Sequence, residues 1–287
     1  SAGIPATGFR GLGYIGIAWG TVAAQYCGLA LAGALVMYKY RRVLGFRSAA
    51  DEGPAMHTEG QSALNGMKRF VSVNSDLFIR SLCLMAVYLA FTAISAGFGD
   101  VLLATCSIMM KLMMVFSFFT DGFAYAGQAL TGKYIGMGDV RMVRLTVNRT
   151  FVWSMGIGLL FVLVYLFAGM PMFRLMTTDA EVVASAAGFI PWLAFISLLG
   201  CPAFTWDGIY VGATATRQMR DSNIGCTLAF AAVWVAGKLL LCPEGPAQVH
   251  LLFAAYYAHL AFRSIYQTVK YRSAVLGSVG RGLENIH

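Results

Sequence analysis

Among the charged side chains inside or at the edge of strongly apolar runs are Lys111, Asp121 and Asp207. A carboxylate in such surroundings can load and release a proton. It can also bind a cation together with nearby hydroxyl and carbonyl oxygens. An ammonium there needs a carboxylate partner or water. Plainer roles fit the same residues: Asp207 hydrogen-bonding a kinked backbone near Arg217 and Arg220, and Asp121 as a solvated carboxylate at a helix end. Met109, Met110, Met113 and Met114 flank Lys111. Their adaptable side chains suit either a promiscuous pocket or an ordinary helix interface. His259 and Arg263 lie one turn apart and form a candidate polar relay, and no residues stand at metal-ligand spacing. There is no Gly-x-Ser-x-Gly, no His-Glu-x-x-His and no Walker lysine, so the motifs do not suggest an enzyme. The six cysteines are unpaired at redox or metal spacing and read as packing residues.

The elements that must position these groups are membrane helices. Of 287 residues, 58% are hydrophobic and 12% charged, about half the charge of a soluble domain, and the mean hydropathy is +0.68. Apolar helix patterns cover 14–38, 77–97, 101–132, 147–169, 182–213, 224–242 and 248–268. The net charge of +8 does not form a stripe for nucleic acid. Asn74-Ser75-Asp76 are good N-caps for the second helix, and Arg80 one turn inside is expected to snorkel or to pair with Asp76 at i+4. The fifth helix is expected to break or kink at Pro191, Pro202 and Gly208, and Met170-Pro171 to end the fourth.

Alternation of these helices puts Lys39, Arg41, Arg42, Lys68, Arg69, Lys133, Arg141, Arg144, Arg149, Arg217, Arg220 and four further basic residues on one side. The opposite loops hold only Arg10 and Arg174. The positive-inside rule then predicts seven spans with the N-terminus outside and the C-terminus cytoplasmic, in the plasma (inner) membrane. No cleavable signal peptide pattern opens the chain.

Particular runs also resemble a known family. Phe118-Phe119-Thr120-Asp121-Gly122-Phe123-Ala124-Tyr125-Ala126-Gly127-Gln128 resembles the eighth helix of multidrug and toxic compound extrusion (MATE) transporters. Ala203-Phe204-Thr205-Trp206-Asp207-Gly208-Ile209-Tyr210-Val211-Gly212 resembles the tenth, Asn74 to Cys83 the start of the seventh, and Gly13 to Thr21 the approach to the sixth. The resemblance implies an all-α fold: the second six-helix lobe of a twelve-helix transporter, preceded by the last helix of the first lobe. Its divisions would be 1–44, a cytoplasmic inter-lobe loop at 45–70, the second lobe at 71–270 and a cytoplasmic tail at 271–287. It implies H⁺ or Na⁺ antiport exporting amphipathic, often cationic organic compounds, with no cofactor beyond the coupling ion and no role for nucleic acid. Asp207, Asp121 and Lys111 become the ion-coupling or substrate candidates. The chain opens on Ser1 and has one helix ahead of the long connection. The expectation is therefore an N-terminally shortened transporter whose missing first lobe is a partner, with no transport cycle by these residues alone. A lipid-linked oligosaccharide flippase of the same superfamily is the alternative within transport. A membrane enzyme or structural membrane subunit is the alternative outside it. In the complete transporter, Asp207→Asn is expected to reduce efflux and leave membrane expression intact.

Overall fold

The computed structural model describes residues 13–46, 59–241 and 245–279. The first twelve residues, most of the expected connection, the first half of the expected closure at 243–246 and the end of the tail lie outside them. Every element described is helical. The chain divides into two compact units, 1–62 and 63–287.

The first unit holds α1, Gly13–Phe46. Its described apolar side chains, such as Trp19, Tyr26 and Leu31, are exposed. Helix α2, Glu59–Ala96, begins inside the stretch expected as a connection. Asn74-Ser75-Asp76 therefore lie within a helix instead of capping one, and the Asn74 amide donates to the Phe70 carbonyl at 2.8 Å.

The second unit continues with α3 (Asp100–Gly136), α4 (Val140–Met176), the short α5 (Ala180–Ala186), α6 (Ile190–Gly212), α7 (Thr216–Leu241) and α8 (Pro246–Tyr271). A π-helical turn follows at Arg272–Leu276. Among the described residues, five segments are long and apolar enough to cross a membrane: Phe70–Ala96, Asp100–Gly136, Val140–Met176, Ile190–Gly212 and Thr216–Leu241. Helix α8 has 26 residues, enough for about 39 Å, but it carries His250, His259, Arg263 and Gln267. At 37 residues each, α3 and α4 run to about 55 Å and outreach a ~30 Å hydrocarbon core.

Local signals set several boundaries. Asp139 caps α4 by accepting from the Met142 N–H at 2.9 Å. Pro191 sits in the first turn of α6, where a missing N–H costs nothing. The expected break there is a change of helix, from α5 to α6. Helix α6 then runs unbroken through Pro202 and Gly208. Helix α4 likewise passes Pro171 and continues to Met176, because the fully buried Phe173 anchors the last turn in the core.

Helices α3, α4 and α6 pack as a three-helix cluster, and α7 and α8 pack as a pair joined to it through α6. Where α3 meets α6 the backbones touch: a Cβ on Gly208 would strike the Ala124 carbonyl, and one on Gly212 would strike that of Gln128. Small residues at such crossings let helices close without a hydrophobic drive. Tyr165 on α4 ties this cluster further, donating to the Leu112 carbonyl of α3 at 2.6 Å.

Helix α2 is held differently. Its membrane segment is largely exposed to the surroundings, and its attachments are specific. Asp76 accepts from Arg220 at 2.6 Å and from the Thr216 hydroxyl at 3.1 Å, both on α7. Phe91 meets Phe253 and Tyr256 of α8 edge-on.

Candidate functional site

The α3–α6 contact at Gly208 brings Asp207 close to the α3 turn that begins at Asp121. Asp207 is 8% exposed, and three other helical residues close on its carboxylate. Arg263 of α8 donates through Nη2 to Oδ2 and through Nε to Oδ1, the latter at 3.2 Å. Gln267, one turn further, donates to Oδ1 at 3.2 Å. Arg80 of α2 donates to Oδ2. The carboxylate thus bridges three helices, with two guanidiniums against one negative charge.

Burial explains the arrangement. Arg263 is 2% exposed, and an isolated guanidinium at that depth would be very costly unless paired. Arg263 also lies over the Phe204 ring, 5.8 Å from its centroid, a favourable cation–π placement. The Trp206 indole N–H donates to Thr268 at 2.8 Å and the Tyr210 hydroxyl to the Gln267 carbonyl at 2.6 Å, fixing α8 in register with α6. Arg80 does not pair with Asp76 as its i+4 spacing suggested. Asp76 is held by α7, and Arg80 reaches across to α6.

These groups face a cavity of about 430 Å³ between α2, α3, α6 and α8. Asp121 lines it, half-buried, near enough to Arg80 and Arg263 to interact electrostatically with both, without a salt bridge to either. Ser117, Tyr125 and Gln128 share its face of α3. Met110, Met113 and Met114 supply the apolar wall, whereas Met109 is fully buried in the core. His259 stacks on Tyr256 at 5.7 Å and leaves Nδ1 without a partner among the described residues. Lys111 is exposed on α3 and lies away from the cavity.

Asp207 and Asp121 are therefore brought together, and Lys111 is not. Pro202 and Gly208 belong to the helix that carries Asp207, while Pro191 stands at its far end. Arg80 and Gln267 are the residues the sequence reading missed. A signal for the second was present: His259, Arg263 and Gln267 recur at i, i+4 and i+8, a polar stripe on one face of α8.

A family model described as MatE matches residues 77–243. The chain belongs to the MatE family. Over 251 residues the MatE chain is 31% identical to the DNA damage-inducible protein F of Escherichia coli (strain K12), covering 87% of this chain and 51% of that protein. It is 27% identical to Protein DETOXIFICATION 42 of Arabidopsis thaliana over 148 residues, 51% of this chain and 28% of the relative. Protein DETOXIFICATION 44, chloroplastic, of the same plant is also 27% identical, over 137 residues, 47% of this chain and 26% of the relative. The MatE chain thus spans about half the length of the bacterial relative and about a quarter of the plant ones. The matched stretch contains Arg80, Asp121 and Asp207, and stops short of Arg263.

Proposed function

We propose that this chain forms one wall of a secondary active efflux transporter that exports amphipathic, cationic organic compounds by alternating access, driven by H⁺ or Na⁺. The observation that carries this is a buried carboxylate shared by guanidiniums from two other helices, at the edge of a cavity with an apolar methionine wall. Family membership supports transport over enzyme chemistry. In the same reading the chain is multi-pass with seven spans, its N-terminus outside and its C-terminus cytoplasmic, in the inner membrane. A first lobe of the same family faces the cavity.

The chemistry follows from the charge count. While Asp207 is ionised it holds Arg80 and so fastens α2 to α6. Neutralising Asp207 with a proton, or drawing it onto a sodium ion, releases Arg80. Helix α2, whose membrane segment is largely exposed, is then free to move. Asp121, which makes no salt bridge with another described residue, is the carboxylate open to a cationic substrate, and the methionines adapt to its apolar part. Coupling arises because substrate and ion act on one electrostatically connected set of four charges.

One observation favours a second reading. Arg80 and Arg263 bring two positive charges to the cavity, and a lipid-linked pyrophosphate would use them, as in a flippase.

The test is gradient-dependent efflux of a fluorescent organic cation, with the chain expressed alone or together with a first lobe. Asp121→Asn is expected to lower efflux about tenfold or more while leaving the amount of folded protein unchanged, because Asp121 makes no salt bridge with another described residue. Loss of one charge-assisted contact corresponds to roughly that factor. Efflux that survives both Asp121→Asn and collapse of the ion gradients would refute the proposal. Export abolished by a lipid pyrophosphate competitor, with Asp121 irrelevant, would favour the flippase.

A further inference from the structure

A second concavity, of about 310 Å³, lies on the other side of α3. Its α3 wall is Phe123, Ala126, Leu130 and Tyr134. Those positions are spaced to face away from Ser117, Asp121, Ala124 and Gln128, which line the central cavity. The groove is therefore separate from the transport site.

Its α4 wall carries Arg149 and Trp153, both exposed, over a floor that includes the buried Thr150. Thr150 is seated against Gly127, where an added Cβ would lie 2.9 Å from its methyl group, so the floor is closed. Helix α4 has no acidic residue, Asp121 lies on the opposite face of α3, and Asp100 lies at its far end. Among the described residues no carboxylate pairs with Arg149. Lys133 adds a second positive charge at the same end, its Nζ 5.6 Å from the centroid of the Tyr134 ring.

Arg149 lies nine residues into α4, about 14 Å from its start. Its side chain leans toward the helix N-terminus, the end that also carries Arg141 and Arg144. The groove thus joins an apolar trough to a guanidinium with no carboxylate partner among the described residues, with tryptophan and tyrosine alongside, as found where side chains meet a membrane interface. A water-soluble anion would leave the trough empty, and a zwitterionic lipid would bring its own cation to Arg149. We infer that the groove seats one anionic phospholipid, with its phosphate on Arg149 and an acyl chain along Leu130 and Trp153. This rests on the chain being a membrane protein and is independent of what it exports.

Two measurements on the full chain test the inference. The chain is reconstituted with equal phosphatidylglycerol and phosphatidylcholine, returned to detergent, and its retained lipid counted by native mass spectrometry. Phosphatidylglycerol is expected to be retained preferentially. Arg149→Gln should reduce that preference about fivefold, the worth of one basic side chain at an anionic surface. Arg149→Lys should keep most of it, and Arg141→Gln, outside the groove, should change nothing. Independently, a benzophenone amino acid at Leu130 should form its photo-adduct with lipid. Equal retention of the two lipids, or an Arg149→Gln variant that retains phosphatidylglycerol as the parent does, overturns the inference. So does a photo-adduct that maps to α1 or to a second copy of the chain.

Discussion

Replacing Asp207 with asparagine should destabilise the chain, and most of the loss should come from Arg263. The Arg263 side chain is 3% exposed against 11% for Asp207, while that of Arg80 is 23% exposed. Breaking a buried pair by removing one partner costs about 3–5 kcal/mol, because a charge is left uncompensated. A charged residue at the centre of a membrane helix costs about 2.5–3.5 kcal/mol on insertion scales. Arg263 lies eight residues before the end of α8 at Tyr271, about 12 Å from it, so partial relief by water is available. A loss of about 3 kcal/mol results. Arg80 lines the cavity and is more exposed than Arg263, so it contributes less, about 1 kcal/mol. The assay is unfolding of the purified chain in mixed micelles, comparing Asp207→Asn, Arg263→Gln and the double variant. The double variant should be more stable than Asp207→Asn alone, with a coupling of about 2 kcal/mol. A single Asp207→Asn variant within about 0.5 kcal/mol of the parent, or strictly additive losses, would refute the reasoning. The ion pairs also revise one expectation drawn from sequence. A change at Asp207 acts on folding as well as on coupling, so membrane expression should fall alongside efflux.

Gly208→Ala should cost about 1–3 kcal/mol as α3 and α6 are forced apart. Gly156→Ala is its control, since a Cβ there meets nothing within 4 Å; equal stability of the two variants would show that the crossing yields. For topology, cysteines placed at Ala247 and Ser273 in a cysteine-free chain should react with impermeant reagent from opposite sides of the membrane. These positions lie at the two ends of α8, and reaction of both from one side would remove α8 from the spanning helices.

Membrane residence, the helical character of the described residues and the MatE family were legible in the order of residues alone. Apolar runs long enough to span a bilayer are local, and so are motifs around Asp121 and Asp207. Helix ends were less legible. Helix α4 passes Pro171 because Phe173 is buried against other elements, and α2 begins at Glu59, ahead of the polar residues that looked like its cap. What only the tertiary structure decided is who meets Asp207. Arg80 and Arg263 lie 127 and 56 residues from it along the chain, and nothing in local spacing selects them over Arg217 or Arg220. The choice follows from the glycine contact between α3 and α6, which sets the depth of Asp207, and from α7, whose Arg220 takes Asp76 and leaves Arg80 to cross. The same packing turns Lys111 outward and leaves three neighbouring methionines on the cavity. A helix presents several faces, and only its neighbours determine which face lines the site.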